Sequence, residues 1–326
     1  MAAEGGAART ILLTGATGFV GSAVRPALQA AGWHVRGLTR NAARAAQQAP
    51  GLDWFEGDVA DRDSMASALE GAHAALYLVH GIREGAGYQE REVAAAASFA
   101  AAAAEAGVQR IVYLGGVAPT GPGSEHLQSR IEVGETLRAG SVPTIELRAS
   151  MIVGHGSLSW LIVRDLAARL PVMILPRWLR SRTEPVAVDD VVVALVRALD
   201  LPIEANAWFD VPGPEILSGK EFLDRTAVLM GLGAPLSIDV PFLSPRLSSL
   251  WIRLVTRADW SVAREIVIGL TEDLLARDDD FWARIDHPQR VSFDEAARRA
   301  LAAERGARRP GGFWALVERA RGVGSG

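Results

Sequence analysis

Directly after the apolar run Thr10-Ile-Leu-Leu-Thr14 the chain reads Gly15-Ala-Thr-Gly18-Phe-Val-Gly21, and a helical pattern follows. Glycines with this spacing between a strand and a helix suit the binding of a pyrophosphate. Gly15 permits the tight turn, Gly18 lets backbone N–H groups approach the phosphates, and Gly21 lets the helix pack close to the strand. The helix N-terminus turns its partial positive charge toward the same place. Gly15, Thr17, Gly18, Phe19, Val20 and Gly21 are therefore the expected cradle of a dinucleotide. A carboxylate about 20 residues further on would select NAD by holding a ribose 2′-hydroxyl. No Asp or Glu occurs between Glu4 and Asp53, and that window carries Arg9, Arg25, Arg36, Arg40 and Arg44 instead. Arg40 lies 19 residues after Gly21, just past the second strand, where a guanidinium can fork onto a 2′-phosphate. The expected cofactor is NADP(H) in preference to NAD(H); solvated surface roles for Arg40 and Arg44 are the alternative.

Other chemistries are restricted by composition. There is no cysteine, which excludes disulfides, thiolate nucleophiles and cysteine-based metal centres. The six histidines are scattered without ligand spacing, so no metal site is expected. No Gly-x-Ser-x-Gly elbow is present. Lys220 is the single lysine, and Tyr77, Tyr88 and Tyr113 are followed four residues on by Gly81, Glu92 and Val117. A Tyr-x-x-x-Lys proton relay is therefore absent. Asp189 and Asp190 open a helix, where stabilisation by the helix dipole explains them better than acid–base work. The stretch Pro176–Arg182 is the densest basic patch, either an anion contact or a solvated loop.

These residues need a scaffold, and the hydrophobic pattern supplies one. Strand-like runs at Thr10–Thr14, His34–Thr39, Leu52–Glu56, Ala74–Val79, Arg110–Leu114 and Thr144–Leu147 alternate with helical stretches at Phe19–Ala31, Asn41–Gln48, Arg62–Glu70, Gln89–Ala106 and Ser124–Ala139. That order predicts an α/β, Rossmann-type doubly wound parallel sheet with both faces covered. After Ser150 the pattern changes. A helix is expected over Val188–Leu199, a strand over Ala207–Val211, and amphipathic helices over Ser248–Thr256 and Ser261–Ala276. The expected organisation is a flexible N-terminus (1–9), a nucleotide-binding domain (10–155), a smaller, mainly helical substrate segment interleaved with it (156–318) and a flexible tail (319–326).

With 326 residues, 49% hydrophobic and 22% charged, the chain has the balance of a soluble globular protein. Its net charge of -4 offers no overall attraction to nucleic acid or anionic lipid. Ser157–Pro176 is apolar but broken by Arg164, Asp165 and Arg169, which argues against a bilayer-spanning helix. No secretory signal is read at the N-terminus, so a cytoplasmic monomer or homodimer acting on a small molecule is expected.

Thr14–Gly21, Gly57-Asp58-Val-Ala-Asp61, Arg110-Ile-Val-Tyr-Leu-Gly-Gly116, Ser129–Val133 and Pro185–Val191 together resemble the extended, atypical branch of the short-chain dehydrogenase/reductase superfamily. The sequence is most similar to bacterial NmrA-like NAD(P)H-binding proteins over about residues 10–200, and more loosely through Leu247–Thr256. The resemblance implies that Asp58 bonds the adenine amino group, that Val59 packs on the ring, and that His80 and Gly81 lie along the cofactor at the end of the fourth strand. A turn or cap role for Asp58 is compatible with this, and a satisfied strand-end histidine is the simpler account of His80. The resemblance also places Arg177–Arg182 beside the substrate cleft.

The departures from the family bear on mechanism. Its fifth strand ends in a serine, and Tyr-x-x-x-Lys follows on the next helix. Here the strand ends Leu114-Gly115-Gly116 and the helix slot reads His126-Leu-Gln-Ser-Arg130. Residues four apart share a helix face, so His126 could act as general acid and Arg130 could hold cofactor or substrate. Alternatively His126 caps the helix and Arg130 pairs with Glu132 or Glu135. The expected function is an NADPH-dependent reductase of a small carbonyl or quinone-like molecule. A non-catalytic NADP(H)-binding redox sensor or assembly factor is the rival, and a nucleotide-sugar epimerase or dehydratase comes third.

Overall fold

The computed structural model describes residues 9–80, 87–121, 123–169, 172–175, 177–203, 205–233, 235–239 and 272–305, with 317 and 320. The first half runs β1 (Thr10–Leu13), α1 (Phe19–Ala30), β2 (His34–Thr39), α2 (Ala42–Gln48), β3 (Asp53–Glu56), α3 (Arg62–Leu69), β4 (Ala74–Tyr77), α4 (Tyr88–Glu105), β5 (Arg110–Gly116), α5 (Glu125–Ala139) and β6 (Thr144–Ala149). The second half runs β7 (Ile152–Val153), α6 (Leu158–Arg169), β8 (Val172–Leu175), a single turn of 3-10 helix (Arg177–Arg180), β9 (Arg182–Thr183), β10 (Val186–Ala187), α7 (Val188–Asp200), β11 (Ala207–Asp210), β12 (Leu217–Ser218), α8 (Gly219–Leu229), β13 (Leu236–Asp239), α9 (Asp280–Arg284) and α10 (Phe293–Arg305).

Seven parallel strands form the main sheet in the order β11-β6-β5-β4-β1-β2-β3. The order reverses between β4 and β1, which opens a crevice at the strand C-termini. Alternation along β1 shows how both faces are covered. Ile11 and Leu13 pack with Val24 and Leu28 of α1 and Val191 and Leu195 of α7. Leu12 faces the other way, toward Met65, Leu69 and Phe99. The last strand, β11, comes from the second half and pairs with β6 from Ala207↔Ile145 to Asp210↔Arg148.

A separate apolar cluster joins α6, α8 and α10 through Trp160, Phe222 and Phe293. The charges that interrupt α6 are buried beside it. Asp165 pairs with Arg164 at 2.9 Å and Arg169 at 3.2 Å, and Arg164 also reaches Glu304 at 3.1 Å. Among the described residues no helix is long and apolar enough to cross a membrane. The helix expected over Ser248–Thr256 lies outside the described residues. So does most of the one expected over Ser261–Ala276; its last residues, 272–276, are not helical, and Leu274 makes an isolated bridge to Thr183.

A second buried charge cluster ties α5 to β6. Glu146, fully buried, meets Arg138 Nε and Arg148 Nε at 2.9 Å each, and Arg148 stacks on Trp208 of β11. Two glycines make its slot, since a Cβ at Gly134 would lie 2.4 Å from Glu146 and one at Gly115 would lie 2.8 Å from it. Removing one partner of such a cluster strands the others in a poorly solvated place. Glu146→Gln is expected to lower the unfolding free energy by about 3–5 kcal/mol, read from urea denaturation; a loss below about 1 kcal/mol would show the cluster to be dispensable.

Candidate functional site

The crevice at the strand C-termini holds a cavity of about 680 Å³. Its floor is the β1–α1 turn. Gly15 has φ +63, and a Cβ there would lie 2.7 Å from the Leu78 carbonyl oxygen. A Cβ at Gly21 would lie 2.2 Å from the Gly15 carbonyl oxygen, so both positions require glycine. At Gly18 a Cβ would meet only Gly15 O, at 3.2 Å, and otherwise point into open space. Thr14, which carried no expectation, pins the turn: its hydroxyl donates to Leu76 O and accepts the Leu78 N–H, both across to the end of β4.

Helices α2, α3, α5 and α8 are capped by the side chains of Asn41, Asp61, Ser124 and Ser218. By contrast, α1 begins at Gly18 with no side-chain cap. Gly18 N–H is spent on Gly15 O and Ser22 N–H on Gly18 O, which leaves the N–H groups of Phe19, Val20 and Gly21 as the open end of the helix beside the cavity. Thr17 is exposed and does not line the cavity.

Of the five arginines in the acid-free window, Arg40 alone lines the cavity. Arg9 pairs with Asp200 and stacks on Trp33, while Arg36 donates to Ala68 O and Glu70 O and stacks on Phe55. The sheet does bring one carboxylate to the end of β2, because Glu56 is paired with Thr39. Its Oε2 accepts the Ala42 N–H at 2.9 Å, so it caps α2 and does not line the cavity. Asp58 is half-buried in a local turn, its Oδ1 accepting the Ala60 N–H, and Val59 is buried in the core; neither lines the cavity. His80 does line it. Gly81 lies outside the described residues.

The far wall belongs to β5 and α5. Arg130 crosses the end of β5, and a Cβ at Gly116 would lie 3.1 Å from its Cδ. Its Nε–H donates to His126 Nε2 at 3.2 Å, and its Nη1 lies 3.3 Å and 3.5 Å from the carbonyl oxygens of Gly115 and Leu114. Neither Glu132 nor Glu135 pairs with it; Glu132 accepts from Gln89 instead. The helix is capped by Ser124 and not by His126. Burial first, and the Arg130 charge second, push the His126 pKa down to about 3. His80 is held well below its usual value by burial and by Arg130 and His126 in turn. His126 is therefore neutral at pH 7. Because Nε2 accepts, its proton is on Nδ1.

The roof comes from the second half: Ser150, Met151, Ile152, α6, Thr183 and Leu274. Residues 272–277 are clipped across it. Glu272 accepts the N–H groups of Gly121 and Gly123, Asp273 binds Arg182, and the N–H groups of Ala276 and Arg277 go to Glu184 and Asp210. Burial raises the pKa of both latter carboxyls. Arg182 of the basic stretch is thus engaged with Asp273 and does not line the cavity. Asp190 is structural, holding His287 and the Val291 N–H, and Asp189 pairs with Arg299. Among the described residues no group of His, Asp and Glu could hold a metal ion.

Residues 7–154 match the model of the NmrA-like family. No curated protein matches the chain. Several solved structures share its fold. The triphenylmethane reductase of Citrobacter sp., complexed with NADP(H), is 17% identical with a TM-score of 0.69, over 89% of this chain and 99% of that one. A short-chain dehydrogenase/reductase superfamily protein from Agrobacterium tumefaciens with bound NAD is 20% identical with a TM-score of 0.67, over 91% and 97%. The UDP-glucose 4-epimerase of Thermotoga maritima, with UDP-glucose, is 15% identical with a TM-score of 0.69, over 91% and 98%. Identities this low speak for fold and not for function. The matched segment, the seven-stranded sheet and the glycine turn agree: residues 7–154 are similar to the NmrA-like family, and the chain has the Rossmann-type α/β fold that these structures share.

Proposed function

We propose that the chain binds NADP(H) in this cavity and is an NADPH-dependent reductase of a small carbonyl or quinone-like molecule. The observation that carries this reading is the glycine cradle continuous with Arg40 in one cavity of about 680 Å³. The open N–H groups of Phe19, Val20 and Gly21 fit a pyrophosphate, and the space beside Gly18 is where a side chain would block it. Arg40 fits a 2′-phosphate. The family's adenine contacts fall to Asp58 and Val59, with Val59 offering only the rim of a buried side chain.

The bound nicotinamide would supply the hydride. Arg130 occupies the family's lysine position, stays charged at every working pH, and can donate to a ribose hydroxyl or to an oxygen on which charge develops. We assign His126 the role of a positioning residue that accepts the Arg130 Nε–H, in place of the general acid expected for it. The reductase named among the structures of this fold binds NADP(H), which supports the reading by analogy. A non-catalytic NADP(H) sensor or assembly factor is the second reading, favoured by the glycine where the family has serine and by the absent Tyr-x-x-x-Lys. An epimerase or dehydratase would lean on that same absent pair.

Titration of the purified chain with NADPH and NADH, followed by fluorescence, tests the cofactor. Arg40→Glu is expected to reduce the NADPH/NADH affinity ratio by about tenfold or more, and an unchanged ratio would remove Arg40 from the site. Oxidation of NADPH against a panel of carbonyls and quinones would establish the reductase. Tight binding without oxidation favours the sensor, and no binding of either nucleotide overturns both.

The histidine assignment has its own test. With a folded pKa of about 3 against 6.5, His126 binds fewer protons folded than unfolded between those values, so it destabilises the fold as pH falls through 6.5 toward 3. Its imidazole resonances should stay at neutral positions through that window. His126→Gln should flatten the acid-side loss of stability; a His126 that titrates near 6.5 would restore the general-acid role.

A further inference from the structure

The chain is acidic overall, with 38 Asp and Glu against 34 Lys and Arg, yet the described residues that line the cavity include two arginines and no carboxylate. At the Arg40 end the charge is accounted for by the proposed 2′-phosphate. Among the described residues nothing does the same for Arg130. No carboxylate among them pairs with it, and three of the acids on or beside α5 are committed elsewhere. Glu92 accepts from Ser129, Glu132 from Gln89, and Glu146 is held between Arg138 and Arg148.

The guanidinium is also fixed in place. His126 holds its Nε–H, its stem packs over Gly116, and Nη1 makes only the two long contacts to Leu114 and Gly115. Nη2 has no partner among the described residues. Neither neighbouring histidine, His80 or His126, can supply a counter-charge, because the charged form of an imidazole is itself a cation. A half-buried guanidinium without an anion is costly, and a planar oxyanion answers it with two parallel hydrogen bonds. A ribose hydroxyl could accept one bond but would leave the charge uncompensated. Leu127 flanks the same glycine, and the cavity lining is apolar through Met151, Ile162, Val163 and Leu274 as well, with the hydroxyls of Ser124, Ser150, Ser157, Ser159 and Thr183 among them.

We infer that the substrate bound beside Arg130 carries a carboxylate on a compact apolar body, and that Arg130 is the residue that selects it. This rests on the reading of the cavity as a joint cofactor and substrate site, and it narrows the carbonyl substrate to an acidic one.

Benzoate and benzamide have nearly the same shape and differ in charge, which makes them the probes. Their binding to the full chain is measured by calorimetry in saturating NADP⁺, where no hydride is available, and again without nucleotide. Benzoate is expected to bind at least about tenfold more tightly than benzamide. Arg130→Gln should abolish that preference and Arg130→Lys should retain part of it. Equal affinities in the unaltered chain, failure of both probes to bind, or a preference that survives Arg130→Gln would each overturn the inference. So would an Arg130→Gln that weakens NADP⁺ and leaves the benzoate/benzamide ratio intact, since Arg130 would then serve the cofactor alone. If Arg130→Gln does not fold, the comparison in the unaltered chain and in Arg130→Lys still decides. Failure of NADP⁺ to bind would count against the proposed function, while the comparison without nucleotide would still read the charge preference.

Discussion

A methyl group on residue 21 would sit 2.2 Å from the Gly15 carbonyl, and one on residue 15 would sit 2.7 Å from that of Leu78. These two clearances set where α1 begins and how closely it lies against the ends of β1 and β4. Thr14 locks the same approach from the other side with its bonds to Leu76 and Leu78. Because the turn is this tight, the uncapped end of α1 opens into the crevice where the strand order reverses. Everything proposed for the cavity, from phosphate binding at the turn to the distant Arg130, takes its position from that close packing.

The changes at the family's catalytic positions fit together sterically. Gly116 stands where the fold would present a hydroxyl, and the space above it is filled by the stem of Arg130. A serine side chain there would begin 3.1 Å from the Arg130 Cδ, closer than comfortable van der Waals contact. The missing serine and the larger cation are thus two sides of one rearrangement. His126 completes it by accepting from the guanidinium, and burial first, with the Arg130 charge second, keeps its pKa low. The result is a fixed cation where the family keeps a proton relay.

Much of this was legible in the sequence because it is local. The glycine turn, the alternating strands and helices, and the four-residue spacing of His126 and Arg130 each depend on neighbours a few residues away. Long-range pairing was not legible. Nothing local in Glu146 or Arg148 says that they are buried beside Arg138. Arg164, Asp165 and Arg169 looked like breaks in an apolar run and turn out to be an internal ion-pair cluster. No acid occurs between Glu4 and Asp53 in the sequence, but sheet register delivers Glu56 to Thr39 from the next strand. Likewise the clip formed by residues 272–277 depends on partners about 70 to 150 positions away, such as Asp210 and Gly121. Amphipathic pattern alone predicts a helix for the segment that reaches Ala276.

Two successive glycines on β5 serve two charged neighbours. Gly115 clears space for Glu146, and Gly116 clears space for Arg130. The first neighbour is saturated: one carboxylate shared by two guanidinium groups, with Asp210 of β11 opposite Arg148. It cannot also neutralise the second. Arg130 therefore sits at the edge of a cavity whose lining, among the described residues, offers no carboxylate to oppose its field, in a chain that is acidic overall. Low-dielectric surroundings strengthen that field over a few ångströms and leave the compensating charge to come from whatever occupies the cavity.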